Sequence, residues 1–178
     1  MWGRSPWGGY GMNPLPSRFE ALWDETAGLV TGGAPYAEGI YIDANLVIAL
    51  RHYWAAEPAN ATVLAYAAFE FGGAQNAELV ARAVALLEEN WDGARPGPSA
   101  GVAAALLEQV DAALAINPAV AASWRWRLLL LRSRIDLQLF ADGGKVDCGN
   151  AALVAAFAEL SRIYYAKDAY PAVRPPCT

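Results

Sequence analysis

Few side chains in this 178-residue sequence are of the types that usually carry chemistry. His52 is the single histidine, so it has no second imidazole with which to hold a zinc ion, and we expect a packed or half-exposed role for it. Cys148 and Cys177 do not have the spacing of a metal site; they can pair as a disulfide or remain free thiols. The sequence therefore predicts no metal site and no cofactor.

Aromatic side chains in the first part of the chain could bind a sugar, because their apolar faces stack on sugar rings. Trp7 and Tyr10 lie in a Gly- and Pro-rich stretch, and Tyr36 and Tyr41 lie in the short segment YAEGIYI, which could be extended. Packing is the alternative role, since aromatic residues also fill cores and anchor loops.

Residues 123–140, SWRWRLLLLRSRIDLQLF, mix tryptophan with arginine, a pattern that can indicate stacking on nucleic-acid bases. On a helix, Arg132 and Arg134 do not share a face with Trp124, so we expect the arginines to form the solvated edge of a buried helix. Three acids are available to them as ion-pair partners: Asp136, Glu159 and Asp168. The net charge is −5, whereas binding to DNA requires a cationic surface. We predict no nucleic-acid partner.

The elements that must position these residues are predicted to be helices. Hydrophobic residues make up 56% of the chain, with alanine dominant, and they recur at helical spacing between Gly and Pro breaks. This pattern predicts an all-α fold, a single domain of about seven helices packed as antiparallel pairs. Among them, the first is predicted over 18–30, the fourth over 75–91, the sixth over 118–140 and the last over 150–167.

The domain organisation follows from where the helical pattern starts and stops. We predict an N-terminal loop segment over 1–16, a helical domain over 17–170 and an irregular tail over 171–178. Ser17 with Glu20 three residues later is typical of a capping box at the start of the first helix. The stretch DGARPGPSAG, residues 92–101, is the clearest linker and could subdivide the domain.

The apolar content does not indicate a membrane protein. No stretch offers the roughly 20 uninterrupted apolar residues that a membrane span needs. The N-terminus, MWGRSPWGGYG, has no apolar region of the kind that a signal peptide carries. We therefore predict a soluble chain with no membrane partner and no signal peptide, and the sequence indicates no compartment.

Two segments carry a resemblance to a known family. Residues 32–54, GGAPYAEGIYIDANLVIALRHYW, together with residues 11–30, resemble the C-terminal part of bacterial glycoside hydrolases related to alpha-N-acetylglucosaminidase and to hexosaminidase-like barrel enzymes. Residues 123–140 are similar to a helix in the helical domain of those enzymes. In that family a Glu-Gly-Ile segment lies at the end of the catalytic barrel, so the resemblance implies that Glu38, in Glu38-Gly39-Ile40, is a catalytic carboxylate.

A second carboxylate would be needed for that chemistry. Glycoside hydrolysis normally uses two, about 5–5.5 Å apart for retention or 6.5–9.5 Å for inversion. Asp43 lies five residues after Glu38 and could approach it. The alternative role of Glu38 is that of an acid favouring the N-terminus of the helix that begins near Asp43. The predicted substrate-binding residues around this pair are Tyr36, Tyr41, Trp7, Tyr10 and Asn45.

The chain lacks the eight-fold alternation of strands and helices that a barrel requires, so the resemblance implies part of a site and leaves enzymatic activity undecided. We predict a helical domain, or a truncated C-terminal portion, of a glycoside-hydrolase-like protein that contributes to a carbohydrate site. The alternative is a non-enzymatic module that binds a helical partner or forms a homo-oligomer. A domain without its barrel would expose its old packing face as an apolar patch.

Overall fold

The computed structural model of the protein describes residues 14–35, 43–90, 96–163 and Cys177. These residues contain helices and no strand, which confirms the predicted all-α fold. The helices of this part of the chain are α1 (Pro16–Thr26), α2 (Asp43–Ala55), α3 (Ala59–Glu70), α4 (Ala74–Glu89), α5 (Ser99–Leu114), α6 (Pro118–Ala121), α7 (Trp124–Ala141) and α8 (Ala151–Ile163).

The helices pack mainly on helices close to them in the sequence: α3 on α4, α4 on α5, α5 on α7 beyond the short α6, and α7 on α8. The helices on either side of the predicted linker therefore contact each other directly. Because α5 begins at Ser99, residues 99–101 of that linker are helical, which corrects its predicted end. Residues 91–95 lie outside the described part of the chain.

The core is centred on α7, whose side chains are buried around most of its circumference. Trp126 is fully buried and meets Phe71 at 5.2 Å between ring centroids, in the edge-on geometry that aromatic pairs prefer. On α5 the buried positions recur at intervals of three and four residues, as one face of a helix requires. They are Ala100, Ala103, Ala104, Leu107, Val110 and Leu114.

The predicted capping box at Ser17 is wrong. The first helix starts two residues earlier, at Pro16, with Leu15 as its N-cap and no side-chain hydrogen bond that caps it. Instead, the carboxylate of Glu88 on α4 accepts the backbone N–H groups of Ser17 and Arg18, each at 3.0 Å. A helix leaves its first N–H groups without internal partners, and here a neighbouring helix supplies the acceptor.

Two helix boundaries also differ from the predictions. The predicted sixth helix is broken after α6, because the Ser123 side chain accepts the N–H of Trp126 at 3.2 Å and so starts a new helix. The first helix ends at Thr26 rather than at residue 30.

Between α3 and α4, Gly72 and Gly73 have φ values of +89° and +100°, a conformation in which other residues are strained.

Cys148 and Cys177 form a disulfide across 29 residues of sequence. Cys148 lies between α7 and α8, so the bond joins the end of the predicted tail to that connection. None of the described helices has the length and apolar content needed to cross a membrane.

Candidate functional site

Of the seven residues predicted for a carbohydrate site, the described structure contains two. Asp43 and Asn45 belong to the first turn of α2. The others lie outside the described residues: Glu38, Tyr36, Tyr41, Trp7 and Tyr10. Their predicted roles, and the approach of Asp43 to Glu38, stay predictions.

Asp43 sits in a small charged cluster formed by three helices. Its Oδ2 accepts a hydrogen bond from the hydroxyl of Tyr66 at 3.1 Å and another from Nε of Arg125. Glu70 Oε1 lies 3.6 Å from the same Arg125 nitrogen. The second oxygen of Asp43, Oδ1, is buried and has no hydrogen-bond partner within the described structure. Oδ2 of this carboxylate therefore holds three helices together, whereas Oδ1 makes no hydrogen bond within the described structure.

The Tyr66 hydroxyl is held in its protonated form. Burial, reinforced by the charge of Asp43 and by the hydrogen bond to it, raises the pKa of Tyr66 far above its usual range. A phenolate next to a carboxylate in a low-dielectric environment is unfavourable. Tyr66 therefore acts as a hydrogen-bond donor to Asp43.

Asn45, the other predicted site residue in the described structure, is buried in the fold. Its Oδ1 accepts the backbone N–H of Leu15 at 3.0 Å. This contact anchors the residue that precedes α1 to the second helix. This contact gives the buried Asn45 side chain a structural role, and its role in substrate binding stays a prediction.

A cleft of about 490 Å³ lies between α1, α3 and α4. Its polar lining consists of two carboxylates one helical turn apart on α1, Glu20 and Asp24, together with Ser17 and Asn60. No arginine, lysine or histidine lines it among the described residues. The remaining walls are small and apolar: Pro16, Ala21, Ala59, Val63, Ala81 and Ala85.

His52 lies behind Glu20, on the side facing α2. It is 3% exposed, so of the packed and half-exposed roles predicted for it the structure shows the packed one, and its ring stacks on Trp23 with 5.7 Å between centroids and 7° between planes. Neither ring nitrogen has a hydrogen-bond partner in the described structure. The closest carboxylate contact is between Nε2 and Oε2 of Glu20, at 3.7 Å. That distance is too long for a good hydrogen bond.

Glu20 also has a structural role. Its Oε2 accepts the backbone N–H of Ala59, the first residue of α3, which has no side-chain cap of its own. The i,i+4 spacing of Glu20 and Asp24 on a predicted helix could have indicated that they share a face. The cleft walls that α3 and α4 supply lie 35 to 65 positions away from this pair in the sequence, so no local signal indicates the cleft.

The arginines of α7 pair with acids, as predicted, but not all at a solvated edge. Arg127 bonds Glu159 with both Nε and Nη2, at 2.6 and 2.8 Å. The predicted solvated edge is wrong for Arg132, which is 1% exposed because α7 is buried around most of its circumference. Its side chain pairs with Asp136 at 2.9 Å. Asp168 lies outside the described residues.

The outer face of α2 is apolar and open. Leu50 is 52% exposed and Trp54 is 90% exposed, four residues apart on one side of the helix. Tyr53, next to them, is partly covered by Trp23 and by the backbone at Gly33, where an added methyl would come within 2.6 Å of the tyrosine ring. We refer to Leu46, Val47, Leu50, Tyr53 and Trp54 as the α2 stripe.

No group of three or more histidine, cysteine, aspartate or glutamate side chains that could hold a metal ion occurs in the part of the chain that the structure describes. No protein-family model, curated protein or solved structure matches the chain. The resemblance to glycoside hydrolases therefore stays a prediction.

Proposed function

We propose that this chain is a helical interaction module that self-associates through the α2 stripe. The observation that carries the proposal is the exposure of Trp54 and Leu50 on a helix whose opposite face is already buried. Ile48, Ala49 and His52 fill the inner face. A helix that is apolar on both faces is usually buried on both, so the outer face of α2 is suited to a further packing partner.

A second copy of the chain fits this face for two reasons. The five residues of the stripe carry no charge, so an isologous contact between two stripes brings no like charges together. The cation beside the stripe, Arg51, is already paired with Glu57 at 2.5 Å. The 13 residues of α2 give a contact line of about 20 Å, and an exposed tryptophan at its end is the residue type most enriched at binding hot spots.

The experiment is size-exclusion chromatography with light scattering across a concentration series. The wild-type chain is expected to show twice its monomer mass of 19.0 kDa. The variant Trp54→Asp is expected to be a monomer, because a dimer would bury two unpaired carboxylates. The control is Ile116→Asp, which changes a residue that is 93% exposed, between α5 and α6, away from the stripe. It is expected to leave the dimer intact.

Circular dichroism of each variant checks that the helices are retained. A monomer mass for the wild-type chain at high micromolar concentration would overturn the proposal. So would a Trp54→Asp variant that remains a dimer, because the contact would then lie elsewhere on the surface.

The second proposal is the carbohydrate site that the resemblance implies. It is favoured by the unpartnered Oδ1 of Asp43, five residues from Glu38. N-acetylglucosamine is expected to raise the melting temperature of the wild-type chain and not that of Glu38→Gln. Equal shifts, or no shift up to millimolar sugar, would contradict it.

A further inference from the structure

We propose that Asn60 accepts an N-linked glycan when the chain passes through an oxidising secretory compartment. The sequence Asn60-Ala61-Thr62 has the acceptor pattern for this modification: an asparagine, any residue except proline, then threonine or serine. No other asparagine in the sequence has serine or threonine two positions later. The proposal does not depend on self-association, since none of these three residues belongs to the α2 stripe.

The hydroxyl of Thr62 distinguishes this motif from a chance match. Thr62 is 1% exposed, and its Oγ1 is buried without a hydrogen-bond partner in the described structure. Buried polar groups are normally paired, and an unpaired one destabilises the fold, whereas valine has a similar shape and no hydroxyl. The hydroxyl is also the group that threonine and serine share, so it is what the acceptor motif requires. A hydroxyl without a partner in the folded chain can be recognised in the unfolded chain, where it is exposed.

The side chain of Asn60 lies where a glycan is compatible with the fold. Asn60 is exposed and is the second residue of α3. Its Oδ1 accepts the N–H of Ala61 at 2.8 Å, whereas its Nδ2, the atom that would carry the sugar, donates no hydrogen bond within the described structure. The cleft of about 490 Å³ between α1, α3 and α4 lies beside Asn60 and leaves space for the first sugar. A glycan can therefore be attached without breaking a hydrogen bond of the fold.

The disulfide between Cys148 and Cys177 is an independent indication of an oxidising compartment. Disulfides form and persist in secreted proteins and in the secretory pathway, whereas thiols are kept reduced in the cytosol. The sequence has no other cysteine, so the bond leaves no thiol free. An N-glycan is likewise a modification of secreted proteins. The disulfide and the acceptor motif therefore indicate the same route.

The donor for this reaction is an oligosaccharide linked to a polyprenyl diphosphate, and an oligosaccharyltransferase brings the two together. Nδ2 of Asn60 attacks the anomeric carbon of the first sugar. A C–N bond forms, the bond from that carbon to the diphosphate oxygen breaks, and polyprenyl diphosphate leaves. The nitrogen loses one proton to a base of the transferase, and nothing is oxidised or reduced. Because Thr62 is buried in the folded chain, the transfer precedes the packing of α3.

The experiment is expression of the full chain in mammalian cells behind a cleavable secretion leader, because no signal peptide is predicted at its N-terminus. The secreted chain is expected to lose mass on treatment with peptide-N-glycosidase F. This enzyme converts the modified asparagine to aspartate, so peptide mass spectrometry is expected to locate the change at position 60. The secreted chain is also expected to contain no free thiol.

Three variants test the motif. Asn60→Gln and Thr62→Val are each expected to lose the glycan, whereas Thr62→Ser is expected to retain it, because serine keeps the hydroxyl. The matched control is Thr26→Val, which removes a threonine hydroxyl from α1, outside the motif. It is expected to carry the same glycan as the wild-type chain.

The melting temperature tests whether the fold needs the hydroxyl of Thr62. The comparison is made in the Asn60→Gln background, so that no chain carries a glycan. Adding Thr62→Val is expected to raise the melting temperature by about 2–4 °C, because the unpaired buried hydroxyl is removed. Adding Thr26→Val is expected to give no such rise, because that hydroxyl donates to the carbonyl of Leu22 at 2.7 Å.

Four results would overturn the proposal. The first is a secreted wild-type chain whose mass the glycosidase does not change. The second and third are a glycan that persists in Asn60→Gln or in Thr62→Val, because the acceptor would then lie elsewhere. The fourth is a lower melting temperature on adding Thr62→Val, because the hydroxyl would then be explained by the fold. None of these results depends on the oligomeric mass of the chain.

Discussion

At the scale of single residues, the fold strongly affects the ionisation of Tyr66, one of the described residues. In the folded chain burial and the charge of Asp43 raise its pKa, whereas in the unfolded chain its pKa is about 10. The folded state therefore holds the phenol proton more tightly. The corresponding stability is fully present below about pH 10 and is lost as the pH rises above it.

We predict that Tyr66→Phe loses about 1 kcal/mol of unfolding free energy at pH 8, through the lost hydrogen bond to Asp43. It is also expected to lose less stability than the wild-type chain between pH 9 and 11. Urea unfolding at these pH values measures both effects, with Tyr53→Phe as the control on α2. Identical alkaline slopes for the wild-type chain and Tyr66→Phe would contradict the prediction.

Two residues near the cleft, His52 and Glu20, differ in how far the sequence could predict their roles. A packed or half-exposed role for His52 followed from its being the single histidine, which leaves it without a second imidazole for a metal site. The capping of α3 by Glu20 did not, because Glu20 and Ala59 are 39 residues apart and only the packing of α1 on α3 brings them together. The pattern of residues along a sequence can indicate contacts within one helix, but it does not indicate which residues of two helices meet.

At the scale of elements, α7 and α8 are joined by the pair of Arg127 and Glu159. The hydrogen bond from Arg127 lowers the pKa of Glu159, and it outweighs burial, which acts in the opposite direction. For a carboxylate with a lowered folded pKa, the stabilisation is present above the unfolded value of about 4.3. It is lost as the pH falls through the folded pKa.

We predict that Glu159→Gln is less stable than the wild-type chain by about 1 kcal/mol at pH 7, because the pair is bidentate and only about a quarter exposed. The difference is expected to shrink as the pH falls from 5 to 3. Urea unfolding across this range tests it. Glu78→Gln, an exposed acid on α4, is the control. A difference that is independent of pH would exclude the ion pair as its cause.

Elements were predictable to different degrees. The helices themselves followed from alanine content and apolar spacing, which are properties of each segment. The break between α6 and α7 could not be predicted in this way. Pro118 can begin a helix, and the apolar spacing does not indicate that a second helix begins after Ser123. That start depends on one hydrogen bond from Trp126, a residue fixed in place by the core.

At the scale of the whole molecule, the disulfide between Cys148 and Cys177 closes a loop that contains all of α8. The sequence left pairing and free thiols as alternatives, because two cysteines alone do not show whether their backbones meet. A cross-link stabilises a fold mainly by restricting the unfolded chain, and a loop of this length corresponds to about 3–4 kcal/mol.

We therefore predict that the double variant Cys148→Ser/Cys177→Ser unfolds with about 3 kcal/mol less free energy than the oxidised wild-type chain. Adding dithiothreitol is expected to lower the wild-type chain to the level of the variant and to leave the variant unchanged. Urea unfolding with and without the reductant measures both. A variant as stable as the oxidised chain would contradict the prediction, because the cross-link would then add nothing to the free energy of unfolding.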